Sequence, residues 1–562
     1  MRSLVLSLLL LAASTLQAQQ GPARDPAQQT SRVGVSIVRG LVIAGDTGRP
    51  LRRARITLSS PDLGREPRVT STGVDGRFEI TDLPAGRYNV RAERSGYLTL
   101  RYGQTRPLEQ GRPLDVAERA TIEKVDFTLP RAGVIAGRVV DEFGDPVADV
   151  PVFAMRTAYW QGRRRTVPSG NPTRTDDAGM YRISGLMPGT YQVMAVLRET
   201  WTVRERGVEQ TLGYAPTYSP GIATIAEATR ITLGVGQQLN AVDVSLVAGR
   251  AASISGTAID AGGRPLAGRT VALGREIAGP DSGSFMAAGN ATVAGDGSFA
   301  IKVVPPGQYK IRVQAATPSG NPTTGPEMIV MPIAIDGIDL TNVTLATLPP
   351  WSVAARLVTD AGAPPAARFD GFALEVVPVE PDVTPDVQGR GADDGRVQND
   401  WTVRFSRIFG AARLHVRTPD GWWVRSMLRD GVDITDAPTE MRGGEELSDV
   451  RIVVNDHPTR VRGQVVDAKG APMAVGTVVV FARDPQKWFE QSRWVRAVRP
   501  DQAGNYVIDG LPPGDYFAAV IDYVEDGMWN DPAFVESLHE RAEPFALTEG
   551  ESHTLTLKYV TP

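Results

Sequence analysis

Enzyme chemistry needs nucleophiles, bases or metal ligands at fixed spacing, and this 562-residue chain supplies few of them. Its histidines are His415, His457, His539 and His553, and it has no cysteine. Without a thiol there is neither a cysteine nucleophile nor a disulfide. A zinc peptidase site needs His and Glu three apart plus a distant second His, with one coordination position left open. Glu536 and His539 stand three apart but have no partner set, and no His opens an H-E-x-x-H pattern. No G-x-S-x-G elbow occurs for a serine nucleophile. Gly234, Val235 and Gly236 begin like a dinucleotide loop, yet no third Gly or βαβ unit follows, so they read as a turn. Asp176 with Asp177, and Asp393 with Asp394, could offer oxygen ligands to calcium, but turns between strands favour Asp at the same places. These residues predict no catalytic site, no metal and no cofactor. A hydrolase of unfamiliar type would need a concave cluster of acids around His415 or His457.

Binding chemistry is better represented. The segment AMRTAYWQGRRRTVPSGNPTRTDD brings Tyr159 and Trp160 beside a run of arginines, and DPQKWFEQSRWVRAVRPDQ does the same with Trp488 and Trp494. A third segment, TPDGWWVRS, carries Trp422 and Trp423. Such rings can stack on sugars or peptides, and guanidinium groups form bidentate hydrogen bonds with carboxylates. The same rings could instead cover sandwich edges or seams between domains. In a strand, neighbours point to opposite sides, so one of Trp422 and Trp423 should enter a core and the other should be exposed.

The elements that position these residues are repeats. GRFEITDLPAGRY from Gly76, GMYRISGLMPGTY from Gly179, GSFAIKVVPPGQY from Gly297 and GNYVIDGLPPGDY from Gly504 share one spacing. In each, an aromatic follows the first Gly by two residues, Ile by four, a branched aliphatic by seven, a second Gly by ten and Tyr by twelve. Apolar residues at alternate positions mark a strand with one buried face, and the Pro/Gly stretch marks a tight corner. Upstream of these, IAGRVVDEFGDPV, ISGTAIDAGGRPL and VRGQVVDAKGAPM place Gly nine residues before Pro, while VRGLVIAGDTGRPL has a gap of ten. These read as strand, turn, strand. A degraded copy has Ala355 in place of the Gly, and Ala412 where Tyr belongs.

The pair G-x-V-x-D-x-x-G-x-P and, 36 to 42 residues on, G-x-(F/Y)-x-I-x-x-L-x-P-G-x-Y resembles the carboxypeptidase regulatory-like domain. The resemblance implies an all-β chain of five tandem immunoglobulin-like or transthyretin-like Greek-key sandwiches, with nothing implied about catalysis, because such sandwiches accompany many unrelated functions. The related repeats of Gram-positive surface proteins form Lys–Asn isopeptide bonds from a first-strand Lys. Here no Lys (124, 302, 310, 469, 487 and 558) falls in a first strand.

Residues 1–18 carry Arg2, the apolar run Leu4 to Leu11 and a small-residue end at Ala18, the pattern of a cleaved secretory leader and too short to span a bilayer. Residues 19–32 read as a polar linker. The expected domains are 33–131, 132–249, 250–348, 349–457 (the degraded copy) and 458–562. One short helix is expected in NDPAFVESLHERA, capped by Asn530 or Asp531 with Pro532 first. YAPTYSPG at 214–221 reads as a linking loop, and short joints between domains predict a semi-rigid row. A formal charge of −4 recommends no nucleic-acid partner. The whole predicts a non-catalytic exported binding or scaffold protein, periplasmic or extracellular and from a Gram-negative cell, with no membrane span after cleavage. Its expected partner is an envelope protein or a polysaccharide, the latter held by exposed aromatics.

Overall fold

The computed structural model describes residues 34–559, apart from 61–62, 64–65, 161–162, 206, 278–283, 316–325, 382 and 386–393. The leader, the linker and Asp393 lie outside the described residues.

Alternation builds the strands. In Arg77–Leu83 and Gly86–Glu93 the side chains of Phe78, Ile80, Leu83, Tyr88, Val90 and Ala92 are buried and those between them face outward. The chain forms five such β-sandwiches in tandem, each on one plan. The first strand (Ser36–Ala44, Gly133–Val140, Ala252–Ile259, Trp351–Val358 and Arg460–Val466 in turn) runs antiparallel to the strand before the corner. It runs parallel to a closing strand. The strand after the corner joins the opposite sheet, so the Pro/Gly corner carries the chain across the core.

The Tyr of the repeat locks that corner. Its hydroxyl donates to the carbonyl four residues earlier in every regular copy: Tyr88 to Pro84 at 2.7 Å, Tyr191 to Met187 at 2.7 Å, Tyr309 to Pro305 at 2.9 Å and Tyr516 to Pro512 at 2.6 Å. A buried carbonyl without a donor is costly, which gives Tyr a role that Phe could not fill. In the fourth sandwich, where Ala412 replaces Tyr, Trp351 Nε1 donates to Gly410 O at 2.9 Å with its ring buried in the core. The first-strand Gly has an equally local cause. A Cβ at Gly137 would stand 2.0 Å from Val242 O, and one at Gly463 1.7 Å from Leu555 O, where the closing strand passes.

The arginine-rich insert of the second sandwich is a hairpin, Pro151–Trp160 against Arg163–Arg174. Two expectations are corrected. YAPTYSPG is not a linking loop: Thr217–Tyr218 pairs with Met194 and Ala195, and Tyr214, Ala215 and Tyr218 are buried. The sandwiches also do not form a row. Asp522 of the fifth accepts from Arg106 of the first at 2.8 Å, and Glu525 accepts from Arg156 of the second at 2.8 Å. Short joints fix neighbours only, and these contacts bring chain ends together through pairs far apart in sequence.

The helix is Pro532–Ser537, its N-terminus capped by Asp531 accepting from Ala533 N at 3.0 Å. Val535 and Leu538 pack on Val479, Phe481 and Trp488. The strand Thr477–Ala482 is therefore buried on both faces, and each apolar side chain so covered contributes about 1.5–3 kcal/mol.

Candidate functional site

The opposite sheet of the fourth sandwich has two strands, Ala373–Pro378 and Ala412–Arg417. Period two sends Ala412, Leu414 and Val416 into the core and leaves Arg413, His415 and Arg417 on the outer side. The insert of the fifth sandwich lies over that outer side, with Phe489 beneath the Arg413 guanidinium at 4.4 Å. Between the two sandwiches is a cleft of about 460 Å³, walled also by Trp422 and Trp423. Its volume falls in the range of small-ligand pockets.

Charge in the cleft is partly balanced. Arg493 pairs with Asp436 at 3.0 Å and donates to Val424 O at 2.8 Å; Arg460 pairs with Asp509 at 2.7 Å. Arg496 donates to the carbonyls of Ser492 and Val495 at 2.8 and 3.0 Å, and Arg413 rests on Phe489; among the described residues neither forms an ion pair. Burial pulls both guanidinium groups down from their ordinary value. It also pulls His415 down, opposed by Glu375 3.5 Å away, which favours a neutral ring. Burial pushes the Glu490 carboxyl up, against the nearby Arg165 and Arg163.

The six aromatic residues expected to bind ligand fall in different places. Trp488 is buried in the core beneath the helix, its Nε1 donating to Ala482 O at 2.7 Å. Trp494 is buried at the seam, stacked on Tyr516 and donating to Asp436 at 2.8 Å. Trp422 turns inward against Phe372, ring centroids 5.8 Å apart. Trp423, expected to be exposed if Trp422 was not, is only 4% exposed. Alternation points it away from the fourth core, but the fifth sandwich covers it at Gly510. Burial thus closes the rings of Trp423, Trp488 and Trp494 to stacking on a sugar. Tyr159 is half-buried near Gly527; the backbone of Trp160 pairs with Arg163 at the hairpin end. Of these aromatic residues, Trp422 and Trp423 wall the cleft.

Sequence reasoning missed Arg413, Arg496 and Asp436, and weighed His415 only as the centre of a hydrolase site. Outward positions of an alternating strand read as a solvated face, and only the fifth sandwich makes them a wall. The four histidines are scattered: His457 is exposed, His539 lies against Phe517 and His553 against Phe545. Asp176, weighed above for calcium, accepts from the N–H groups of Ala178 and Met180 and so holds a turn.

Residues 37–130 match the carboxypeptidase regulatory-like domain. That stretch is the first sandwich. Among solved structures, GBS52, the minor pilin of Streptococcus agalactiae, is similar at 14% identity over 38% of this chain and 95% of its own, with a TM-score of 0.21. A streptococcal ancillary pilin is similar at 15% identity over 56% of this chain and 98% of its own, TM-score 0.20. The shaft pilin SpaA of Lactobacillus rhamnosus GG is similar at 10% identity over 38% and 96%, TM-score 0.19. No curated protein matches the chain in sequence.

The regulatory-like domain is tied to the last sandwich by charge. Glu109 accepts from the N–H groups of Thr105 and Arg106, the Thr105 hydroxyl and the Arg106 guanidinium, all at 3.0 Å. Arg499 reaches it from the fifth sandwich and also donates to Gly103 O. Tyr523 OH donates to Pro107 O at 3.1 Å in the same seam.

Proposed function

We propose that this chain is a non-catalytic exported protein of the cell envelope, a multi-domain scaffold or binding protein, with domains 33–131, 132–249, 250–348, 349–457 and 458–562 following a leader (1–18) and a linker (19–32). The reading rests on where the buried charges sit. An unpaired buried charge is costly, and here Glu109 with Arg499 and Arg156 with Glu525 pair across the sandwiches and join them to one another. These four charged side chains are committed to holding sandwiches at fixed relative positions. A framework of that kind presents several surfaces to partners together. The partner is an envelope protein or polysaccharide, in a periplasmic or extracellular setting.

The test is co-sedimentation of the purified 19–562 chain with isolated envelope membranes, peptidoglycan sacculi and an envelope-polysaccharide panel, alongside peptidase and glycosidase assays on the same material. Saturable retention by one fraction without turnover is expected. Retention by none, or turnover that survives repurification, overturns the reading.

A further inference from the structure

We propose that the cleft between the fourth and fifth sandwiches binds the carboxylate of a peptide, with Arg413 and Arg496 as its counter-charges. This deepens the binding reading above by giving one site and one ligand chemistry.

The argument starts from donors without acceptors. Arg413 Nε and Trp423 Nε1 are buried atoms with no hydrogen-bond partner, and both residues wall this one cleft beside His415, whose Nδ1 faces Glu375 at 3.5 Å. Buried polar groups in folded proteins are nearly always satisfied, and each exception asks for a missing partner. A buried donor left unpaired costs about 1–3 kcal/mol, so two at one place mark a wall that an acceptor-rich ligand would complete.

Charge gives the ligand its sign. The cleft carries Arg87, Arg413, Arg460, Arg493 and Arg496 against Asp420, Asp436, Glu490 and Asp509. Arg493 and Arg460 are neutralised by Asp436 and Asp509, and Arg87 lies 3.8 Å from Asp420. The remainder is two cations, Arg413 and Arg496, against Glu490. A carboxylate matches a guanidinium in shape, since two parallel N–H donors meet its two oxygens.

The aromatic rings then separate a peptide from a sugar. Sugar recognition by stacking needs a free ring face, but Trp423 is buried, Trp422 packs inward against Phe372, and Arg413 already covers the Phe489 face. What the wall still offers is hydrogen-bonding and charged groups with apolar contact from Met427 and Phe489. That combination suits an acidic or C-terminal peptide residue, whose amide can also use the Glu490 carboxyl.

The experiment uses the whole 19–562 chain, indole-15N-labelled at tryptophan, with N-acetylphenylalanine as probe and N-acetylphenylalaninamide and glucuronate as comparisons. The acid is expected to shift the Trp423 Nε1–H resonance, assigned by Trp423→Phe, and to bind at least tenfold more tightly than the amide. Arg413→Gln should weaken it at least tenfold. N-acetylated aspartate amide separates a side-chain carboxylate from a chain end, and binding of either supports the proposal. No perturbation of the Trp423 signal by either carboxylate, equal binding of acid and amide, or binding by glucuronate alone overturns it. The resonance is read on the unaltered chain, so a folding defect in a variant cannot imitate the result. Envelope retention lost while N-acetylphenylalanine still binds would remove the scaffold reading and keep the cleft; the reverse would remove the cleft alone.

Discussion

The carboxylate of Glu109, in the first sandwich, lies 3.0 Å from the guanidinium of Arg499, in the last, with side-chain exposures of 3% and 4%. Neither residue belongs to a repeated motif, yet together they join the two ends of the described chain.

Breaking this pair from one side should be severe. Arg499→Met leaves Glu109 buried with fewer donors, and loss of one partner of a buried pair costs about 3–5 kcal/mol. Chemical denaturation followed by tryptophan fluorescence should show that loss, and small-angle scattering should show the first sandwich released. The double variant Glu109→Leu with Arg499→Met should cost less than the sum of its parts. Additive losses would mean that the pair carries no coupling.

The same seam should weaken in acid. Burial raises the Glu109 pKa, but the Arg106 N–H, Arg499 and Thr105 more than offset it and hold the carboxyl below its ordinary value. A depressed folded value contributes stability that is fully present above the usual glutamate pKa of about 4.3 and disappears as pH falls through the folded value. Arg106 and Arg499 face it, and Asp522, held low chiefly by its hydrogen bond from Arg106, adds a loss of the same sign. Melting temperature should fall between pH 5 and pH 3, and less steeply in Glu109→Gln. Equal slopes in the two proteins would count against Glu109 as the titrating group.

The corner tyrosine should be needed for its hydroxyl rather than its ring. Tyr516→Phe keeps the ring stacked between Trp494 and Phe545 and strands the Pro512 carbonyl, a loss of about 1–3 kcal/mol. Trp351→Phe should act similarly on Gly410 in the fourth sandwich. Melting temperatures unchanged in both would show that these carbonyls find other donors.

Close approach makes Gly463 irreplaceable. Gly463→Ala drives a Cβ against Leu555 O and should cost about 3 kcal/mol or more through displacement of the closing strand. Gly295, with nothing within 4 Å of an added Cβ, should accept Ala within about 0.5 kcal/mol. Thermal unfolding of the two variants makes the comparison, and similar losses in both would sink it.

Much of the fold was legible because its causes are local. The alternation of Phe78, Ile80 and Leu83, the Pro/Gly corner and the Tyr at its end act within a few residues of one another, and so could be read as strand, corner, strand. The helix was legible for the same reason, since Asp531 and Pro532 sit beside the backbone groups they serve. The site was not. Arg413 and His415 have the pattern of a wet strand face, and Trp423 that of an exposed ring. No periodicity encodes what covers them.

The sequence by itself determined five sandwiches, because backbone conformation and inward or outward facing are set by neighbours two to twelve positions away. Only the tertiary structure decided that the sandwiches gather instead of standing in a row, and that Trp423 is closed over while Arg413 becomes a cleft wall. Those outcomes depend on charges and rings from different sandwiches meeting in space, where burial gives each contact a weight that sequence spacing does not carry.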